Sequence, residues 1–225
     1  MVKSQGWKWE NVSEDWNNIW KTPSMESYYL LHRWKEQNKN SFLDLGCGIG
    51  RHSILFAENG FDTYCFDISE EAIKQTKEWA ECQHLNLDYR LGDMIKLPYE
   101  SDSMDCILAK NVISHTDTQG VTLVISEINR VLKIEGECYL TLCSKNTWGY
   151  LQDWPAVDEN TKLCMNEGPE YKVPHFYADY NLIKELFSKF MICSITHCEE
   201  FYEVDGKIKS SYHYHVLIKK TITEE

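Results

Sequence analysis

A glycine-rich turn and two aspartates in this sequence have the types and spacing to bind a nucleoside. The turn 46–50, GCGIG, carries glycine at alternate positions directly after the apolar segment 41–45. Glycine permits positive φ angles and close approach of a ligand to the backbone at the start of the next helix. Asp67 ends a second apolar segment and suits the two hydroxyls of a ribose, and Asp93 follows a third and could accept a hydrogen bond from a base amine. Together these residues predict a nucleoside site.

The same region argues against a ligand that carries phosphates. Arg51 stands three positions after the turn's second glycine, where a dinucleotide-binding turn needs a third glycine, and the sequence contains no GKS or GKT. A nucleoside with a charged, phosphate-free tail is therefore favoured, and Asp44 would lie close to a cationic amine or sulfonium in that tail. Two simpler interpretations stay open, because Asp67 could cap the following helix and Asp93 could be a turn residue.

Two histidines are candidates for contact with a second substrate. His115 follows the fourth predicted strand and His175 ends a long irregular segment, and an imidazole at either place could act as a general base near neutral pH. Contact without proton transfer and a structural hydrogen bond are the alternatives. His213 and His215 share one strand face, but they have no carboxylate or third ligand in register, so packing is favoured and we expect no metal site.

The elements that position these residues follow from the hydrophobic pattern. Strands alternating with helices predict βαβ units and a mostly parallel sheet, with functional residues at the carboxyl ends of the strands. An Asp-Gly turn between two alternating runs adds an antiparallel hairpin at the end of the chain. The predicted strands are 41–45, 61–66, 87–91, 105–109, 137–143, 192–203 and 210–219, and the predicted helices are 51–58, 70–82, 122–132 and 179–189.

Two segments stand outside this alternation. Residues 1–40 hold five of the eight tryptophans and predict a helical cap, either packed on the core or forming an aromatic cage for a cationic substrate. Residues 144–175 show no clear periodicity and predict an insertion that acts as a lid within the main domain, 41–225. The aromatic side chains predicted to contact the substrate are Trp16, Trp20, Trp148 and Tyr150.

Composition limits the partners of this chain. Its 225 residues carry a formal net charge of −12, which disfavours nucleic acid because phosphate backbones bind to basic surfaces. Nine cysteines without a CxxC pair fit neither a zinc site nor a disulfide framework. No segment has the apolar length of a membrane span. We therefore expect a cytoplasmic protein that acts on a small molecule, without nucleic-acid or membrane partners.

Four segments in order resemble the motifs of the class I S-adenosylmethionine-dependent methyltransferases. They read LDLGCGIGRHS, FDISEEAI, GDMIKLPYESDSMDCILAKNVISH and EINRVLKIEGECYLTL, and they lie between residues 41 and 142. The resemblance implies an α/β, three-layer Rossmann-like sandwich with a seven-stranded sheet in the order 3-2-1-4-5-7-6. It also implies S-adenosyl-L-methionine as the cofactor and S-adenosyl-L-homocysteine as its product.

The resemblance further implies which residues contact the cofactor and what the chain does. The expected activity is methyl transfer to a small-molecule acceptor, with His115 and His175 at the reaction centre. A non-catalytic module of the same fold and an RNA methyltransferase are the alternatives, and Arg51 weakens a third, an NAD-dependent oxidoreductase. The expected cofactor contacts are Asp44, Gly46, Cys47, Gly48, Gly50, Asp67, Ile68, Asp93, Met94, Ala109, Lys110 and Asn111.

Overall fold

The computed structural model of the chain describes residues 3–9, 20–204 and 206–222. In these ranges the helices are α1 Met25–Glu36, α2 Arg51–Glu58, α3 Glu70–Cys82, α4 Thr118–Val131 and α5 Tyr180–Leu186. The strands are β1 Ser41–Leu45, β2 Asp62–Asp67, β3 Asp88–Leu91, β4 Met104–Ala109, β5 Leu132–Ser144, β6 Ala156–Asp158, β7 Thr161–Leu163, β8 Pro174–Ala178, β9 Met191–Val204 and β10 Lys207–Lys219. No helix in the described ranges has the length and apolar character needed to cross a membrane.

The strands form one mixed sheet whose main part has the expected order. β3, β2, β1, β4 and β5 are neighbours and run parallel to each other. β10 then pairs antiparallel with β5, and β9 pairs antiparallel with β10. With β9 and β10 counted as the sixth and seventh strands, this is the predicted order 3-2-1-4-5-7-6. The prediction of an α/β sheet with a terminal antiparallel hairpin is confirmed.

The insertion 144–175 contains more regular structure than its sequence indicates. β6 and β7 form an antiparallel pair, and β7 pairs with β8, which joins the end of β5 through Cys143 and Ser144. The expectation of a wholly irregular segment is therefore wrong. Strands of three to five residues are too short to show a clear alternation in the sequence, and pairing with neighbouring strands stabilises them more than their own pattern does.

Alternate residues of the central strands are buried on opposite faces of the sheet. Leu43 and Leu45 on β1 belong to the cluster that α4 covers. Phe42, which directly precedes Leu43 in the sequence, belongs to the other cluster and stacks on Phe56 of α2 with ring centroids 3.8 Å apart. Because side chains alternate across a strand, one apolar segment supplies both cores, and helices on both faces complete the three layers.

A buried carboxylate fastens α1 to the sheet. Glu137 of β5 is fully buried, and the guanidinium of Arg33 donates to its two oxygens at 2.7 and 2.8 Å. The indole of Trp34 donates to the same carboxylate at 2.9 Å. Burial alone would raise the pKa of Glu137, but these donors lower it below its ordinary value. The ionised carboxylate therefore holds α1 in register with β5.

We predict that Glu137→Gln lowers the free energy of unfolding by about 2–4 kcal/mol, because it leaves the partly buried Arg33 without its counter-ion. Urea denaturation at neutral pH measures the loss. The matched control is Glu135→Gln, since Glu135 pairs with Lys219 while 65% of its side chain is exposed, and it should change stability by no more than about 0.5 kcal/mol. Equal effects of the two substitutions would contradict the anchoring role of Glu137.

Candidate functional site

A cleft lies at the carboxyl ends of the parallel strands. It encloses about 790 Å³ including its open mouth, and the loops after β1, β2, β3 and β4 all contribute to its walls. Eight of the residues predicted to contact a cofactor line it: Gly46, Cys47, Gly48, Asp67, Ile68, Met94, Lys110 and Asn111. The topology thus brings together residues that are up to 65 positions apart in the sequence.

The glycine turn packs too closely against its surroundings to admit side chains. Gly46 has φ +72°, and a Cβ placed on it would lie 2.3 Å from Cγ2 of Val112. Gly48 has φ +53°, and a Cβ there would lie 2.7 Å from the ring of Trp9. The N–H of Gly46 donates to the carbonyl of Phe66 at 2.7 Å, which joins the turn to the end of β2. Glycine is required here both by conformation and by space.

Asp67 connects two loops of the cleft. Its Oδ2 accepts a hydrogen bond from the N–H of Gly48 at 2.8 Å, and its Oδ1 accepts one from the N–H of Ser69 at 2.8 Å. Burial raises the pKa of Asp67, although these backbone donors act in the opposite direction. The cap of α3 is the hydroxyl of Ser69, which accepts from Ala72 N–H, so the helix does not use Asp67 as its N-cap. Each carboxylate oxygen can accept a further bond from a ligand.

Asp93 lies at the same end of the sheet as Asp67. The N–H of Gly92, beside it, donates to the backbone carbonyl of Asp67 at 2.9 Å. The Asp93 carboxylate accepts from Ile95 N–H at 3.2 Å through Oδ1, which is a turn interaction, and from Ser4 N–H at 2.9 Å through Oδ2. The second bond was not foreseen from the sequence, and it draws the start of the chain to the cleft.

Residues 3–9, which we call the strap, run along the cleft. Ser4, Gln5, Gly6, Trp7 and Trp9 all line the cavity. The Trp7 ring lies edge-on to Trp20 at 4.8 Å, and Trp9 lies 5.5 Å from Trp7. Trp20 was predicted to contact a substrate and does line the cavity, whereas Trp16 is outside the described residues. The tryptophans at the start of the chain thus form part of the cavity wall.

Arg51 lines the cavity, whereas Asp44 does not. The Arg51 guanidinium lies 4.6 Å from the ring centroid of Trp20 and lines the cavity. Asp44 does not line this cavity as the described residues define it, because it lies behind the turn and accepts a 2.6 Å hydrogen bond from Ser53. Burial raises the pKa of Asp44 to about 6. Gly50, Asp93 and Ala109 likewise adjoin the cavity without lining it.

His115 and His175 face one carboxylate at the far end of the cleft. Nε2 of His115 lies 3.6 Å from Oε1 of Glu170, and Nε2 of His175 lies 3.4 Å from Oε2. Burial would raise the pKa of Glu170, but the two imidazoles hold it well below its usual range. Burial lowers the pKa of His115, whereas for His175 the carboxylate outweighs burial and raises the pKa. The predicted pair of histidines is therefore brought together, with a partner that the sequence did not indicate.

The other predicted side chains lie in separate contacts. Trp148 packs edge-on against Trp154 at 5.3 Å, and Tyr150 lies 5.2 Å from Tyr177, which in turn stacks on His175. Neither Trp148 nor Tyr150 lines the described cavity. Tyr150 therefore approaches the histidine cluster through Tyr177, whereas Trp148 packs against Trp154 within the insertion.

The side chains of His213 and His215 contact different residues. Nδ1 of His215 lies 2.6 Å from the hydroxyl of Tyr139 and 3.3 Å from a carboxylate oxygen of Glu26. Nε2 of His213 lies 3.6 Å from the thiol of Cys143. Each ring thus has its own packing partner. Glu26 also pairs with Lys110 at 3.4 Å, so this network ends at the cavity wall.

Sequence reasoning missed Glu170 and most of the strap. Tryptophan density was the available signal for Trp7 and Trp9, but it could not show that they cover the turn. Glu170 had no signal of its own, because its position beside His115 depends on how the insertion folds. It is fixed there by the indole of Trp7, which donates to Oε1 at 2.8 Å.

Comparisons with known proteins agree with this architecture. The sequence model of the family described as "Methyltransferase domain" matches residues 36–180. The malonyl-(acyl-carrier protein) O-methyltransferase of Salmonella typhimurium is 29% identical over 136 residues, which are 60% of this chain and 51% of that protein. A ubiquinone biosynthesis O-methyltransferase of Coxiella burnetii is 27% identical over 64% of this chain and 63% of its own length. The chain thus spans about half to two thirds of these curated relatives.

A solved structure gives the same fold. A protein of Methanosarcina mazei, described as a SAM-dependent methyltransferase, superimposes with a TM-score of 0.72 at 22% identity. The superposition covers 86% of this chain and 98% of that one.

We predict that Gly46→Ala lowers the free energy of unfolding by at least about 2 kcal/mol more than Gly60→Ala does. Both glycines have positive φ, but a Cβ on Gly60 meets no atom within 4 Å, whereas one on Gly46 collides with Val112. Gly60→Ala, the control, therefore loses stability only through the cost of a positive φ. Gly46→Ala has the same cost and also the steric clash of its Cβ with Val112. Urea denaturation measures both. Equal losses would mean that the turn does not pack against Val112 as described.

Proposed function

This chain belongs to the class I S-adenosylmethionine-dependent methyltransferase family, and on that premise we propose that it transfers a methyl group from S-adenosylmethionine to a small-molecule acceptor. The observation that carries the proposal is the cleft in which the glycine turn, Asp67 and the loop 92–94 meet. S-adenosylmethionine supplies, when bound, a methyl group already activated on a sulfonium.

The cleft residues fit an adenosine with an amino-acid tail. Asp67 would accept hydrogen bonds from the ribose hydroxyls with the lone pairs that Gly48 and Ser69 leave unused. Asp93 would accept from the adenine amine, and Met94 would pack on the ring. Only glycine at position 48 lets the turn pack against Trp9 of the strap, because a Cβ there would lie 2.7 Å from that ring. The guanidinium of Arg51 in the cavity wall suits the carboxylate of the tail.

The acceptor would lie at the end of the cleft where His115 lines the cavity. Methyl transfer needs the acceptor held in line with the donor, and such positioning supplies much of the rate enhancement. The strap and the insertion would provide it, because the 2.8 Å hydrogen bond from Trp7 to Glu170 joins them across this end. His115 and His175 would contact the acceptor there.

A small acceptor suits this enclosure better than a polymer. The strap covers the cleft, and the chain carries a net charge of −12, so it lacks the overall positive charge that attracts nucleic acid. The name of the Coxiella burnetii relative refers to the biosynthesis of ubiquinone, which is itself a small molecule. These observations support a small molecule over RNA.

We predict that Asp67→Asn weakens binding of both S-adenosylmethionine and S-adenosylhomocysteine by about 10- to 100-fold, because charge-assisted hydrogen bonds to the ribose are lost. Isothermal titration calorimetry measures the affinities. Asp62→Asn is the matched control, since Asp62 is exposed at the opposite end of the same strand, and it should bind both ligands as the wild type does. Unchanged affinity in a cooperatively folded Asp67→Asn protein would refute the assignment.

Methyl transfer itself can be tested without knowing the acceptor. The protein is incubated with S-adenosylmethionine tritiated in the methyl group, together with a pool of small metabolites or with RNA. Label is then counted after size separation. We expect label in the small-molecule fraction, and much less with the Asp67→Asn variant. Label only in RNA would contradict the substrate class, and no label despite cofactor binding would favour a non-catalytic module.

A further inference from the structure

The cluster of His115, Glu170 and His175 has the composition of a metal site. One ligand atom from each residue can be chosen so that all of them lie within 4.8 Å of one another. Two imidazoles and one carboxylate form a common set for catalytic zinc, in which a further position stays open to a non-protein ligand. The three side chains come from the loop after β4, from the insertion and from β8.

The distances in the cluster fit ligands of an ion better than direct hydrogen bonds. A charged N–H···O bond is about 2.7–2.9 Å long. The two imidazole nitrogens lie 3.6 and 3.4 Å from the oxygens of Glu170. Ligand atoms about 2.0–2.2 Å from a tetrahedral ion lie about 3.4 Å from each other. Each of the two nitrogen–oxygen distances is thus close to the separation expected between two ligands of one ion.

The hydrogen bonds around the cluster orient lone pairs toward the space between its side chains. Nδ1 of His175 lies 3.1 Å from the carbonyl of Val173 and donates to it, which leaves Nε2 facing Glu170 as an acceptor in the neutral ring. A neutral ring and the carboxylate would then face each other as acceptors, an arrangement that a shared proton or a metal ion between them satisfies. Trp7 donates to Oε1 of Glu170 at 2.8 Å, so the carboxylate is also held from outside. Metal-ligating imidazoles and carboxylates characteristically have outer partners of this kind.

The loops that carry the three side chains are tied to each other by backbone hydrogen bonds. The N–H of Phe176 donates to the carbonyl of Ser114 at 2.8 Å, which fixes β8 beside the loop that holds His115. The N–H of Val173 donates to the carbonyl of Glu170 at 2.9 Å. The donor atoms are therefore brought together by the fold before any ligand binds.

We infer that His115, Glu170 and His175 bind a divalent transition-metal ion such as Zn²⁺ beside the cleft. This revises the expectation of no metal site, which was drawn from His213, His215 and the spacing of the cysteines and did not consider Glu170. Since His115 also lines the cleft, the ion's open position would be available to an acceptor with an oxygen or sulfur donor atom. That last step rests on the proposed function, whereas the ion site does not.

The test titrates metal-free protein with Co²⁺ alone and then with Zn²⁺, with no S-adenosylmethionine present. We expect one Co²⁺ per chain, with the visible absorption of a low-coordinate ion, and its displacement by Zn²⁺. Glu170→Gln and His175→Ala should each weaken binding at least tenfold. Glu167→Gln is the matched control, because Glu167 is exposed in the same insertion three positions away, and it should bind Co²⁺ like the wild type.

Binding that Glu170→Gln leaves unchanged, or no stoichiometric binding by the folded wild type, would overturn the inference. Glu170 keeps 35% of its side chain exposed, so its replacement should fold even if that of the buried His175 does not. Cofactor affinity of the metal-free protein is measured in parallel. Metal binding without cofactor binding would reject the proposed function alone, and the reverse result would reject the metal site alone.

Discussion

One buried carboxylate determines the shape of the cleft. Asp67 accepts from the N–H of Gly48 on one side and from the N–H of Ser69 on the other, both at 2.8 Å. The sheet fixes Asp67 at the end of β2. Its two carboxylate oxygens therefore position both the turn after β1 and the start of α3. A carboxylate with so little contact with water is costly unless it is hydrogen-bonded, and these bonds offset part of that cost while leaving lone pairs for a ligand.

Helix α1 carries the start of the chain back to this cleft, and it is anchored at both ends. Near its C-terminal end the guanidinium of Arg33 binds the buried Glu137. Near its N-terminal end Glu26 reaches Lys110 in the cavity wall, and Ser24, just before the helix, donates to His52 of α2 at 3.3 Å. Such anchoring fixes where residues 20–24 leave the cleft, and so it places Trp20 against the strap.

The parts that could be predicted from sequence are those that short-range pattern determines. The segment 41–58 reads directly as strand, glycine turn and helix, and the structure confirms all three. α4 begins at Thr118, four residues earlier than predicted, because Asp117 caps it through Gly120 N–H and its first turn is not apolar. The pairing of β8 with β5, the strap and the place of Glu170 depend on contacts between segments distant in sequence, which no local pattern encodes. The hairpin of β6 and β7 is local, but its strands of three residues are too short to give a pattern.

The strap is the element that connects the two ends of the cleft. Its Ser4 N–H binds Asp93, beside the proposed adenine position, and three residues later its Trp7 indole binds Glu170, at the proposed acceptor end. Between them, Gln5 N–H donates to the carbonyl of His115 at 3.2 Å. The strap therefore joins the proposed adenine position, the loop after β4 and the proposed acceptor end through hydrogen bonds from three residues within a stretch of four, and it links the two halves of the cleft.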